Sequence, residues 1–161
     1  MADMTAEQIT QIVDFLKNYN QHFTEIVDFL NLKQQKIFAD ELEWLHDSLQ
    51  DEQRLSMAGA SLETKRLELW KELGFENYST TDLLNICPEE YKGRLKLECT
   101  NIEISVDTIK KLNTDILELI EKKFEVAEEI LNQNINKPEF YASTGDKVRI
   151  GDPENDIIGK M

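Results

Sequence analysis

Residues 9–30 read ITQIVDFLKNYNQHFTEIVDFL, and the spacing of their apolar positions decides the fold class. Ile9, Ile12, Leu16, Tyr19, Phe23, Ile26 and Leu30 recur at alternating intervals of three and four, which places one apolar stripe along an α-helix. Val13 and Val27 widen the stripe on one flank and Phe15 and Phe29 on the other, so this helix is expected to touch two neighbours rather than one. Upstream, Thr5-Ala6-Glu7-Gln8 has the form of a capping box, in which the hydroxyl and the Gln side chain satisfy free backbone amides reciprocally. The first helix is therefore predicted over about residues 5–38.

The seam restarts from Phe38 through Leu42, Leu45 and Leu49, and continues loosely through Leu55, Leu62, Leu69 and Leu73. Ile37 and Phe38 straddle the register, which favours a break there, with Ala39-Asp40 as the turn and Asp40 as N-cap of a second helix over 40–73. Gly74 is placed to end that helix in a left-handed cap. Gly59 is its weak point, costing about 1 kcal/mol relative to Ala, and the helix is expected to continue there with a bend or fraying. Ser79-Thr80-Thr81-Asp82 caps one short turn through Leu83-Leu84. Pro88, whose missing amide proton is not needed at a helix start, opens a third helix with Glu89-Glu90 in its first turn.

That third helix, over 88–134, repeats the seam in Leu95, Cys99, Ile102, Val106, Ile109, Ile116 and Ile120. The expected architecture is all-α, an elongated antiparallel three-helix bundle or coiled coil over residues 1–137 with a long third helix. Beyond Pro138, glycines and prolines interrupt short charged pieces, and 138–161 reads as a flexible C-terminal tail. Helices one and two would each span about 50 Å and the third about 70 Å, so the third is expected to outrun the hairpin. Its last turns are not polar: Leu117, Leu119, Phe124, Val126, Ala127, Ile130 and Leu131 cover more than half of the circumference. Burying each large side chain there recovers about 1.5–3 kcal/mol. Leu112, Leu119, Phe124, Val126, Ile130 and Leu131 are thus the candidate residues for binding a partner helix, with a homodimer mate or a bend in the bundle as the alternative cover.

Composition narrows the function classes. The chain has 161 residues, 40% of them apolar, and its Lys+Arg 18 against Asp+Glu 32 give a formal charge of -14. That charge repels phosphate backbones and anionic bilayers, so neither nucleic acid nor membrane insertion is expected. No run approaches the roughly 20 apolar residues of a membrane span, and the start lacks the pattern of a signal peptide, which predicts a cytoplasmic protein. Cys87 and Cys99 do not form a metal-ligand or disulfide pattern, and Cys99 falls on the seam as a small buried hydrophobe.

Catalysis finds little support. His22 and His46 have no nucleophile partner or glycine-rich loop nearby. Glu43-Trp44-Leu45-His46 holds one copy of the Glu-x-x-His spacing that di-iron bundles use twice, and chance in a glutamate-rich chain accounts for it. No enzyme activity, metal or other cofactor is expected. Asn113, on the seam, is read as a register-fixing amide. Trp44 and Trp70 are read as interface anchors or core-edge residues.

Two stretches carry a family resemblance. Lys36-Ile37-Phe38-Ala39-Asp40 with Leu42 and Leu45, then Lys65-Arg66-Leu67-Glu68-Leu69 and Leu73-Gly74, resemble the junction and stop of the second helix in the FlgN family of flagellar export chaperones. Phe140-Tyr141-Ala142-Ser143-Thr144-Gly145 is similar to the Tyr and Gly that follow the family's last helix. The resemblance spans about residues 5–146 and departs at Ile116, where the family often has a second asparagine after the one matched by Asn113. It implies a chaperone that binds hook-filament junction (hook-associated) proteins, shields their amphipathic terminal helices, and passes them to the flagellar export gate, with Tyr141 as the gate-docking residue. A structural homo-oligomeric coiled-coil scaffold without a client is the alternative.

Overall fold

The computed structural model describes residues 4–135, and among them every regular element is helical: α1 (Ala6–Phe38), α2 (Leu42–Asp47), α3 (Leu49–Glu72), α4 (Thr80–Ile86) and α5 (Glu89–Ile135). The tail expected over 138–161 lies outside the described residues. The chain divides into two units after Leu112, with α5 running from the first into the second.

In the first unit, α1 begins as its sequence dictates. The Thr5 hydroxyl accepts from the Gln8 amide at 3.1 Å while the Thr5 amide donates to Gln8 Oε1 at 2.8 Å. α3 runs antiparallel to α1. Gln8 donates to the Leu73 carbonyl, Tyr19 to Glu63, and Lys33 to Glu52 at 2.7 Å, so the partner number falls as the α1 number rises. α5 begins at the same end and lies alongside α1, where Asn20 Nδ2 donates to both the carbonyl and the carboxylate of Glu98.

The core fills that end. Met4 and, from α1, Ile9, Ile12, Val13 and Leu16 meet Trp70, Phe75, Leu83, Cys87, Leu95 and Cys99 in one buried cluster. Trp70 lies across it, with Phe15 edge-on at 5.8 Å and the Arg66 guanidinium 5.6 Å over its ring. Arg66 is held there by two hydrogen bonds to Glu63, which also accepts from Tyr19. The same hydrogen bonds keep the Glu63 carboxyl below its usual range. Burial pushes the Cys99 thiol up to about 11, which leaves it a protonated, unreactive packing residue.

Both turns that close long helices use one device. After α1, the Glu41 amide donates to the Lys36 carbonyl and the Asp40 amide to Ile37, with Asp40 at φ 58°. After α3, the Phe75 amide donates to Trp70 and the Gly74 amide to Lys71, with Gly74 at φ 87°. Each is a Schellman closure, in which a left-handed residue lets two orphan carbonyls be satisfied. Asp40 is therefore the left-handed terminator of α1 and not the N-cap of a second helix. Lys36 and Glu41 reinforce the closure with an ion pair at 2.6 Å.

The expected 40–73 helix is divided at Ser48, whose hydroxyl donates to the Leu45 carbonyl at 2.9 Å and whose backbone, at φ -75° and ψ -10°, stays right-handed between α2 and α3. Around this division only Leu45 of the expected seam is half-buried, while Leu42 is 73% and Leu49 46% exposed, and apolar burial resumes at Leu55. Gly59, by contrast, lies inside an unbroken α3. A Cβ at Gly59 would meet His22 Nε2 at 3.0 Å, so the glycine permits close approach of a buried histidine. The short α4 has the capping box its sequence announces, with Ser79 and Asp82 exchanging two hydrogen bonds.

Candidate functional site

α5 is 47 residues long, about 70 Å at 1.5 Å per residue. Its start follows from Cys87-Pro88: Cys87 is extended, as the residue before proline prefers, and the Pro88 carbonyl accepts from Tyr91 and Lys92. Within the first unit Leu95, Glu98, Cys99 and Leu112 of the helix are buried. Leu112, a candidate contact residue by sequence, is thus a buried side chain.

In the second unit, from Asn113 onward, Ile116 and Ile120 are buried, and beyond Ile120 none of the side chains described to Asn134 is. Two apolar flanks border this line. Leu117, Phe124 and Leu131, at intervals of seven, form one and are half-buried. Leu119, Val126 and Ile130 form the other, and there Val126 is 56% and Ile130 55% exposed. Residues three, four and seven apart share a helix face, so Leu119, Val126 and Ile130 lie together on one side of the Ile116–Ile120 line and Phe124 and Leu131 on the other. Tyr141 lies outside the described residues.

Asn113, expected on the seam, is exposed. The buried line steps from Leu112 to Ile116 to Ile120, and a four-residue step leaves Asn113 off it. The segment is acidic on balance, with Glu118, Glu121, Glu125, Glu128 and Glu129 exposed and only Lys122 and Lys123 as basic residues within 117–131, so an approaching partner meets a net negative surface.

Other exposed apolar side chains are spread over the first unit, among them Leu42, Met57, Leu67, Leu97 and Ile104. Leu97 and Ile104, seven apart, were not singled out by the sequence, because both lie off the seam used to read the helix. Trp44 is half-buried against Phe29 at 6.0 Å. Glu43 and His46 are exposed on α2, and no group of potential metal ligands occurs among the described residues. No helix among them is long and apolar enough to cross a membrane.

A family model described as FlgN protein matches residues 1–148. No curated protein and no solved structure matches the chain.

Proposed function

The chain belongs to the FlgN family of flagellar export chaperones, and from that membership we propose that it works in the cytoplasm on hook-filament junction proteins. It accepts an amphipathic terminal helix of such a client on the last turns of α5, shields it, and delivers it to the export gate. The observation that carries this reading is the pair of apolar flanks in the second unit, where Val126 and Ile130 remain more than half exposed. A helix laid along them gains about 1.5–3 kcal/mol for each large side chain it fully buries. The loss of translational and rotational freedom and the ordering of the client offset much of that gain. Binding of this kind is specific yet reversible, as delivery for secretion requires. Tyr141 serves as the docking residue for the gate.

The test is capture of C-terminal peptides of junction proteins by purified chain, measured by calorimetry. Phe124→Asp and Ile130→Asp abolish capture with helical circular dichroism intact, whereas Tyr141→Ala retains capture and weakens contact with the gate. Undiminished capture by both aspartate variants removes the proposed surface. Concentration-dependent helicity with no capture at all favours the scaffold reading instead.

A further inference from the structure

We infer that the helix received by residues 117–131 carries Lys or Arg at positions seven apart along one border of its apolar stripe; this rests on the reading that these turns dock an amphipathic helix. The two flanks of the segment differ in charge. Along the first, Leu117, Glu121, Phe124, Glu128 and Leu131 alternate at intervals of four and three, so the acids and the apolar residues run together down one side of α5. Glu121 and Glu128 are exposed, and among the described residues neither has an ion-pair partner. Along the second flank, Lys122 and Glu129 alternate with Leu119 and Val126, and their charges cancel. A helix packed over the segment therefore meets a negative edge on the Phe124 side and a neutral one on the Val126 side. Residues at such edge positions choose partner and orientation in helix pairs.

Three occupants are conceivable, and charge separates them. A second copy of the chain would bring its own Glu121 and Glu128 to the same interface, setting like charges against each other. The chain's own residues 136–161 contain Lys137, Lys147, Arg149 and Lys160 against Glu139, Asp146, Asp152, Glu154 and Asp156, which is 4 − 5 = −1. Neither supplies positive charge at a seven-residue interval beside an apolar stripe. A separate amphipathic helix with a basic border does.

The experiment uses the full chain and two labelled helical peptides with one apolar stripe, bordered by a Lys pair or a Glu pair seven apart, followed by fluorescence anisotropy. The Lys peptide is expected to bind about 10-fold more tightly at low salt, with the difference shrinking between about 50 and 500 mM salt. The double variant Glu121→Lys/Glu128→Lys reverses the preference. Equal, salt-insensitive binding that Ile130→Asp abolishes overturns the charge inference and leaves the docking reading standing. Binding of neither peptide overturns both. A dimer in sedimentation that Ile130→Asp dissociates places a second copy on the surface. Tighter binding of both peptides to a chain ending at Ile135 places residues 136–161 there, and either result overturns the proposal.

Discussion

His22 is a buried imidazole in the long first helix, and the residue facing it across the hairpin is Gly59. In the sequence Gly59 reads only as a helix-weakening residue, because nothing local announces a ring belonging to a distant segment. A glycine in a helix interior costs about 1 kcal/mol against alanine, yet a methyl at this position would stand 3.0 Å from His22 Nε2. Gly59→Ala is therefore expected to gain nothing in the native background and to stabilise by up to about 1 kcal/mol when combined with His22→Ala. Denaturant unfolding of the four proteins measures this, and strictly additive effects would refute the contact. Burial also lowers the His22 pKa below its ordinary 6.5, with Glu25 partly opposing. The unfolded chain then binds the proton first. The stability contributed by neutral His22 is present above the unfolded value and is lost as pH falls from 6.5 through the lower folded value. In the same measurements His22→Ala removes that fall.

Helix ends were the most legible elements, since caps are written in neighbouring residues. Thr5, Ser79 and Gly74 each occur where the local pattern puts them, and Pro88 stands one residue ahead of α5. Asp40 was misread because aspartate serves both as an N-cap and, less often, as a left-handed terminator. The hydrogen bond that distinguishes them, from Glu41 back to Lys36, is a property of the closed turn. The division at Ser48 was equally hidden, as serine inside a helix usually does no more than bond to an earlier carbonyl. Gly74 offers a clean test of the terminator. With φ at 87° and nothing within 4 Å of a Cβ placed there, Gly74→Ala meets no steric neighbour and only backbone strain opposes it. The expected loss is about 1–2 kcal/mol, or roughly 2–4 °C in Tm for each kcal/mol in a chain of this size, read by thermal circular dichroism. An unchanged Tm would mean that the turn relaxes to another closure.

For the molecule as a whole, the heptad rhythm revealed the all-helical fold and the apolar surplus of residues 117–131, but not which positions in it stay uncovered. Leu112 and Ile130 both look like members of an apolar face, yet one is 9% and the other 55% exposed, because cover depends on neighbours that spacing alone does not identify. That contrast separates stability from binding. Ile12→Asp introduces a charge at a position with no exposure and is expected to cost more than about 4 kcal/mol. Ile130→Asp is expected to change unfolding free energy by less than about 0.5 kcal/mol. Comparable destabilisation by the two, measured in urea, would mean that Ile130 belongs to the folded core. The core has a further consequence, for synthesis. Ile9, Ile12, Val13 and Leu16 are covered by Trp70, Leu83, Leu95 and Cys99, which the ribosome adds much later. At about 5–20 residues per second, the roughly 80 residues between Leu16 and Cys99 take about 4–16 s. For that interval the nascent chain displays an uncovered amphipathic helix of its own, the same hazard from which an export chaperone protects its clients.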